Sequence, residues 1–402
     1  MLELLVFPAS AILVFGGKKL MSWWGQSERA KVERVLSQMP LSVKEGQSVN
    51  KPTFLGSEEF DWGTRYKYRI PLGIPFTAWN KRGNLGLVLT DNLNKDVEVS
   101  FNEEKFKERV LFVDVMNKPL PSKIEFNEKL NKGFEVLIGY THKEEIIHDF
   151  SKVPHMIIGG MTRYGKTVIM KLIITTIALQ SSRRVQFHLF DLKGGLAFNR
   201  FKKLKCVHSV SRDVDETLEN LLNLQNLVKE RQLYFEEKGY EDINEALKHE
   251  FFYRHFIIID EASVLAPKTK AEKDKVKIHE ILEFIAQVSG GLGFNLIMCS
   301  QYPTGDILPR QVKQNADAKI AFRLTTDVAS KVILDELGAE QIPYGARGRA
   351  IYKMDTTKIM QVPLIENEQI DRLLQPLYME GKEYEQRRKE EIERREDIVD
   401  FG

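Results

Sequence analysis

The residues best suited to chemistry form a glycine-rich stretch, IGGMTRYGKTVIM, from Ile158 to Met170. Residues 160–167 satisfy the pattern G-x-x-x-x-G-K-[ST], after the apolar run MII and before the helix-compatible run VIMKLIITTIAL. Glycines let backbone N–H groups curl around phosphate oxygens, and the following helix N-terminus adds its positive dipole end. We therefore predict a nucleotide-binding loop made of Gly160, Met161, Thr162, Arg163, Tyr164, Gly165, Lys166, Thr167 and Val168.

Two residues of this loop have specific predicted roles. Lys166 would reach the β and γ phosphates of ATP, and the hydroxyl of Thr167 would ligate Mg²⁺. Thr162, Arg163 and Tyr164 are bulky for variable loop positions. Because the cradle is made by backbone, we expect these three side chains to be exposed above it.

A pair of acids follows an apolar strand about ninety residues after the lysine, in the sequence HFIIIDEAS. Asp260 is predicted to hold the Mg²⁺, and Glu261 to polarise the attacking water as a general base. The alternative is an acid-rich first helical turn. In the next apolar strand, NLIMCSQYP, Gln301 is the predicted γ-phosphate sensor, although a lone glutamine is also compatible with an ordinary surface position.

The elements around these residues indicate an α/β fold. After Val153, strand-like runs alternate with helical ones, which is typical of a mainly parallel α/β sheet. Residues 213–238 are predicted to be a packing helix with Val214, Leu218, Leu221, Leu222, Leu227 and Val228 near one face. The predicted strands are His155–Ile158, Val185–Phe190, Phe256–Ile259, Asn295–Cys299 and Ala318–Leu324.

The chain before this core is predicted to contain a connector at 25–62 and a small β-rich domain at 63–145. Its strand-like runs are RYKYRIPL, LGLVL, VEVSF, RVLFVDV and GFEVLIGY. The ATPase motor domain is predicted at 146–365, followed at 366–402 by a helix or tail in which charges of both signs alternate.

Residues 1–24 are apolar except for a few positions and end with Lys18, Lys19 and the pair Trp23-Trp24. Flanking lysines and interfacial tryptophans favour a membrane segment with its C-terminal side in the cytoplasm. The alternative is a buried helix or strand, because the run is short for a bilayer span.

Composition narrows the classes of function. With 59 basic and 57 acidic residues the net charge is +2, so a polyanion site requires local clustering of charge. The two cysteines, Cys206 and Cys299, have no partner at metal-ligand spacing, which argues against zinc and fits a reducing compartment.

The motif order resembles the FtsK/SpoIIIE class of DNA-pumping ATPases over about Val153 to Lys353, and this resemblance implies a RecA-like P-loop NTPase core with a mainly parallel sheet. The resemblance rests on the P-loop and on FDLKGGLAF, VKERQLYFEEKGYEDINEAL, IIIDEA, FIAQVSGGLGFNLIMCSQYP and AKIAFRLTTDVASKVILDELGAEQIPYGARGRAIYK. It implies that Gly160, Gly165, Lys166 and Thr167 are Walker A positions, that Asp260 and Glu261 are Walker B positions, and that Gln301 is the polar sensor. Asp191 and Lys193 resemble the family's Asp-Pro-Lys turn, with Leu192 replacing proline.

The resemblance also implies a ring in which a neighbour supplies an arginine to each site. Family members often have arginine where this chain has Gly290, Lys319 and Lys331, which leaves Arg323, Arg347 or a lysine as candidates. Arg163 is a further candidate for facing a neighbouring subunit.

The architecture resembles the compact coupling proteins of Gram-positive conjugative plasmids and integrated elements. One short apolar segment precedes the motor, and the residues after Pro363 are too few for a sequence-reading winged helix. We therefore expect a membrane-associated, ring-forming and hexameric ATPase that moves DNA into a conjugative channel, with a relaxase and channel proteins as partners. The alternatives are a pump for protein substrates and an adaptor that docks a relaxase–DNA complex and barely hydrolyses ATP.

Overall fold

The computed structural model describes residues 27–38, 43–45, 48–71, 85–102, 109–128, 130–305, 307–381 and 383–386. The chain divides into two compact units between Leu120 and Pro121. The expected membrane segment at 1–24 and residues 387–402 of the charged tail lie outside the described residues.

The N-terminal unit contains an antiparallel sheet of four strands. The sheet has the order β3-β4-β6-β5, and β1 and β2 form a separate two-stranded sheet. The elements are α1 (Glu28–Gln38), β1 (Val43–Glu45), β2 (Ser48–Asn50), β3 (Thr53–Phe60), β4 (Gly63–Arg69), α2 (Leu85–Leu93), β5 (Val97–Phe101) and β6 (Val110–Met116).

Helices α1 and α2 share one apolar core with this sheet, including Val32, Tyr68, Leu89 and Val113. Because β4 and β6 pair with Arg65 directly opposite Asp114, these two side chains meet across the sheet. Two hydrogen bonds of 2.7 and 2.8 Å join them, and the buried Asp114 is thereby paired.

Two expectations for this region were wrong. Leu85–Leu89 forms the first part of helix α2 rather than a strand, because Leu85 and Leu89 lie one turn apart on its buried face. A short apolar run has no period that distinguishes helix from strand, and here helix packing decides. The region predicted as a connector also contains strand β3.

The C-terminal unit is built around a sheet of ten strands. Its helices are α3 (Lys166–Ser181), α4 (Val214–Lys238), α5 (Ile243–Ala246), α6 (Lys273–Val288), α7 (Arg310–Asn315), α8 (Asp327–Leu334) and α9 (Asn367–Leu374). Its strands are β7 (Glu135–Tyr140), β8 (Glu145–Asp149), β9 (Met156–Gly159), β10 (Val185–Phe190), β11 (Val207–Ser211), β12 (Arg254–Ile259), β13 (Phe294–Ser300), β14 (Ala318–Phe322), β15 (Arg349–Lys353) and β16 (Thr357–Gln361).

The strand order is β11-β10-β12-β13-β9-β14-β15-β16-β7-β8. The first six strands are parallel, and the pairings from β14 to β8 are antiparallel. Alternate residues of the central strands enter two different cores: Phe256 and Ile258 pack with α3, whereas Ile257 and Ile259 pack with α4 and α6. The sheet is therefore covered by helices on both faces, as parallel sheets require.

The α/β class and the mainly parallel sheet are confirmed, and all five predicted core strands are present within two residues of the expected bounds. The helix expected at 213–238 runs from Val214 to Lys238, with Asp213 as its N-cap, but its Leu222 is exposed. Leu221 and Val228 are buried as predicted, and the buried stripe also includes Thr217, Leu224 and Phe235.

The predicted boundaries of the motor domain differ from the structure at both ends. The strand expected in GFEVLIGY exists, but it is β7 of the large sheet, where it pairs with β8 and β16. At the other end, α9 lies in the predicted tail and buries Ile370 and Leu374 in the core. Both segments have apolar faces that need the large sheet and its helices to cover them.

Within the described ranges, no helix combines the length and apolar character required to cross a membrane.

The C-terminal unit buries histidines whose pKa values are depressed. Burial lowers the pKa of His148 and of His155 to about 4, and that of His188 to about 3. The pKa of His255 is also lowered, first by burial and then by His188 and Arg231. The pKa of Asp260 is shifted upward instead, because burial raises it to about 6.

We expect the C-terminal unit to lose stability between pH 7.5 and 5.5. Unfolded histidines, with pKa values near 6.5, bind protons in this window while the folded ones stay neutral, so each contributes a loss of about 1 kcal/mol. Protonation of folded Asp260 offsets part of that loss. Urea denaturation followed by far-UV circular dichroism measures the change.

The N-terminal unit provides an internal control. All eight histidines follow residue 121, and Trp62 lies in the turn between β3 and β4, so the fluorescence of a variant that keeps Trp62 as its sole tryptophan follows a unit without histidine. The fluorescence transition should move much less over this pH range. A C-terminal transition that stays constant from pH 7.5 to 5.5 would contradict the prediction.

Candidate active site

The carboxyl ends of four neighbouring parallel strands bring the candidate residues together. Ser300 of β13 pairs with Gly159 of β9, so Gln301 emerges beside the glycine-rich loop. Ile259 of β12 pairs with Met298 of β13 and with Phe190 of β10, and Asp260 therefore lies between β13 and Asp191. Neighbouring strands are about 4.8 Å apart, so residues distant in sequence meet at one edge.

The loop between β9 and α3 has glycine where its geometry requires glycine. Gly160 and Gly165 have φ values of +150° and +128°, which side chains rarely tolerate. A Cβ at either position would lie 2.6 Å from an atom of Phe322. The backbone therefore turns tightly against Phe322 and leads into the N-terminus of α3, which is the arrangement that cradles phosphate.

Lys166 is the first residue of α3, directly after Gly165, and its side chain is buried. Its Nζ donates to the carbonyl oxygens of Gly160 and Met161, the second at 3.0 Å. Burial lowers the lysine's pKa to about 8, while the nearby carboxylates of Glu261 and Asp260 oppose the shift. The ammonium group thus sits between the loop and the acids, where a bound phosphate would need a counter-charge.

Asp260 is 7% exposed. Burial raises its pKa to about 6, with further increases from the neighbouring Asp191 and Glu261, and Lys166 opposes them. A cation would favour the charged form of this carboxylate. Perturbed acids of this kind concentrate at functional sites.

The donor set fits Mg²⁺ better than a tightly caged metal. Among the described residues, no group of three or more histidine, cysteine or acidic side chains is arranged to hold a metal ion. Asp260 and the exposed Thr167 supply a carboxylate and a hydroxyl. Mg²⁺ typically takes one or two such protein ligands and completes its shell with water and substrate phosphates.

Gln301 connects the loop to the second acid. Its backbone N–H donates to Glu261 Oε1 at 3.3 Å, and its side-chain Oε1 accepts from Thr162 Oγ1 at 2.7 Å. Glu261 Oε1 also accepts from Ser263 Oγ at 2.7 Å. The sequence did not lead us to predict a role for Ser263. Its position two residues after Glu261 was the signal that could have indicated this contact.

The three bulky loop residues differ in exposure. Thr162 and Arg163 are exposed as expected, and Arg163 adopts a left-handed φ of 70°. The expectation was wrong for Tyr164, which is buried. Its ring is covered because the loop packs against the segment that precedes β15, with the N–H of Gly348 donating to the Tyr164 carbonyl at 2.9 Å.

The candidate arginines are not equivalent. Arg323 Nη1 donates to the carbonyl oxygens of Glu340 and Ile342, so it is engaged within its own chain. Arg347 is exposed. Gly290 has little room for a side chain, because a Cβ would lie 2.9 Å from Pro154 Cγ.

The two lysines at positions where the family often has arginine are also different. Lys319 forms an ion pair of 2.5 Å with Asp335, which Lys313 also contacts at 2.7 Å. Lys331 is exposed on helix α8. Lys319 is thus held in its own chain, whereas Lys331 is accessible.

Asp191 and Lys193 lie in the turn that ends β10. Asp191 is fully buried, and its Oδ2 accepts from the N–H of Phe198 at 3.0 Å. Lys193 is exposed. The influence of Asp191 on the pKa of Asp260 was not foreseen, because it depends on the adjacency of β10 and β12.

The parallel sheet, the phosphate cradle and the acids beyond it define a protein of the P-loop ATPase class. A profile of the FtsK/SpoIIIE family matches residues 131–360, which is more than half of the chain. The chain belongs to the FtsK/SpoIIIE family.

The relatives of this chain fall into more than one group. The DNA translocase FtsK of Caldanaerobacter subterraneus is 30% identical over 203 residues, which cover 49% of this chain and 28% of the relative. The type VII secretion system protein EssC of Staphylococcus aureus is 28% identical over 247 residues, covering 58% of this chain and 16% of EssC. The chain therefore spans less than a third of either relative.

Among solved structures, the pCW3 conjugation coupling protein TcpA, in a monomer form with ATPγS, is similar in fold. The TM-score is 0.62 at 22% sequence identity, and the match covers 87% of this chain and 99% of TcpA. At this identity the similarity concerns the fold.

We expect Thr162→Val to lower kcat for ATP hydrolysis about fivefold with little change in KM, because one hydrogen bond that orients Gln301 is lost. Thr162→Ser should restore the rate, since it keeps the hydroxyl. Thr356→Val changes an exposed threonine in the turn between β15 and β16 and serves as the control. An equal loss in the serine and valine variants would contradict an orienting role of the hydroxyl.

Proposed function

We propose that this protein is an ATP-driven DNA translocase that acts as a coupling protein for conjugative DNA transfer. The observation that carries the proposal is the convergence of Lys166, Asp260, Glu261 and Gln301 at one sheet edge. Membership of the FtsK/SpoIIIE family supports an ATP-driven translocase. The fold shared with the coupling protein TcpA supports a role in conjugation.

The residues have distinct roles in hydrolysis. The loop N–H groups would bind the phosphates, and Lys166 would stabilise charge on the β and γ groups. Thr167 and Asp260 would hold Mg²⁺, which neutralises phosphate charge when bound. Glu261 would take a proton from the attacking water, and Gln301 would hold that water in line while it contacts Thr162 and Glu261.

The DNA would be held mainly through its phosphates. A net charge of only +2 means that basic groups must be concentrated where DNA binds, and phosphate contacts bind with little sequence preference. We propose that copies of the chain assemble into a ring. Light scattering with and without nucleotide measures the mass of that assembly. We also propose that residues 1–24 attach the protein to a membrane. Its partners there would be a relaxase and the proteins of the conjugative channel.

We expect the full-length protein to hydrolyse ATP faster when DNA is added, and this stimulation to weaken steeply with salt because phosphate contacts are screened. Lys166→Ala should abolish hydrolysis through loss of phosphate binding. Glu261→Gln should lower kcat about a hundredfold or more while ATP still binds, since it removes the base and keeps the shape. Steady-state kinetics and equilibrium ATP binding measure these effects.

Conjugative transfer with the same two variants separates a motor from an adaptor. A motor loses transfer with either substitution, whereas an adaptor that barely hydrolyses ATP tolerates Glu261→Gln. Hydrolysis by the wild-type protein that stays indifferent to single- and double-stranded DNA at every salt concentration would exclude the DNA motor.

The relationship to EssC favours one other candidate, a pump for protein substrates. In that case a substrate peptide, rather than DNA, would stimulate hydrolysis. The ATPase assay, run once with peptides from candidate secreted proteins and once with DNA, distinguishes the two functions.

A further inference from the structure

A short segment before β15 lies against the glycine-rich loop. We call residues 343–348, PYGARG, the 343–348 segment. The N–H of Gly348 donates to the carbonyl of Tyr164 at 2.9 Å, and the N–H of Gly345 donates to its phenol oxygen at 3.3 Å. Tyr164 is 7% exposed, so two hydrogen bonds join the loop to this segment at a buried residue, one at its backbone carbonyl and one at its phenol oxygen.

Tyr344 is an exposed residue of the 343–348 segment. It is 84% exposed, although its ring lies only 6.4 Å from that of Tyr164, at an interplanar angle of 68°. The guanidinium carbon of Arg323 lies 5.9 Å from the centre of the Tyr344 ring. Arg323 is itself held by the carbonyls of Glu340 and Ile342. Edge contact and a fixed cation hold the Tyr344 ring near the loop while most of its surface stays open.

The strand order places this aromatic surface on a defined side of the loop. Strand β9 lies between β13 and β14. Asp260, Glu261 and Gln301 follow β12 and β13, on one flank, whereas the 343–348 segment belongs to the connection between β14 and β15, on the other flank. A nucleotide whose γ phosphate is directed toward the acids has its nucleoside end directed away from them.

We propose that Tyr344 stacks on the nucleobase of the bound nucleotide and forms a base subsite beside the P-loop. The proposal rests on the proposed binding of ATP at the loop. An aromatic ring is the surface that a purine base needs, because both present flat π faces that are poorly solvated. Tyr164 is the positioning residue that joins this subsite to the phosphate cradle.

The test compares two probes that share the phosphates and differ in the base. Binding of ATP and of inorganic tripolyphosphate, each with Mg²⁺, is measured by calorimetry on the full-length Glu261→Gln protein, which cannot turn the probes over rapidly. Tyr344→Ala in that background should weaken ATP binding about tenfold and leave tripolyphosphate binding unchanged. Tyr344→Phe should bind both probes as the parent does, since it keeps the ring.

Phe251→Ala is the matched control. Phe251 is an exposed aromatic residue, but it precedes β12 and so lies at the amino edge of the sheet, opposite the site. It should change neither affinity. An ATP affinity that is unaffected by Tyr344→Ala, or an equal weakening of both probes, would overturn the base subsite. Failure of the parent protein to bind either probe would instead overturn nucleotide binding itself.

Discussion

The parallel pairing of β10, β12, β13 and β9 is the constraint on which the site depends. Ser300 is aligned with Gly159, Met298 with Ile259, and Ile259 with Phe190. These registers bring residues from four distant parts of the chain to the same edge. Shifting one strand by a residue would exchange its two buried faces and move its terminal polar side chain, so the cores on both sides fix the site.

The same alignment concentrates acidic side chains at one buried place. Asp191, Asp260 and Glu261 lie close together in a buried setting, and burial with mutual repulsion raises the pKa of Asp260 to about 6. Lys166 and Lys193 are nearby cations that oppose this shift, but the burial of Lys166 lowers its own pKa to about 8. Burial thus disfavours the charged forms of both Asp260 and Lys166. A ligand that brings a divalent cation to the carboxylate and a phosphate to the ammonium group would stabilise both charges.

Hydrogen bonds hold the loop on two flanks, and those on one flank lead to this charged centre. On one flank, Gln301 contacts both Thr162 and Glu261. On the other, Tyr164 is held by the segment that precedes β15. Changes in the loop can therefore reach the acids through one contact and the β14–β15 connection through the other. The proposed motor would need contacts of this kind, because occupancy of the nucleotide site would have to be converted into movement elsewhere.

The glycine-rich loop, the core strands and the acids after β12 were predictable from the amino-acid sequence, because these features depend on local rules. Backbone turns require glycine at 160 and 165, and strands buried on both faces give continuous apolar runs. Leu85–Leu89 was beyond such rules, since a short apolar run fits helix and strand alike. Tertiary structure alone decided that Tyr164 is buried, that Asp191 acts on Asp260 and that β7 belongs to the large sheet. Each of these depends on which strands and connections become neighbours, and neighbours in space are set by packing rather than by spacing along the chain.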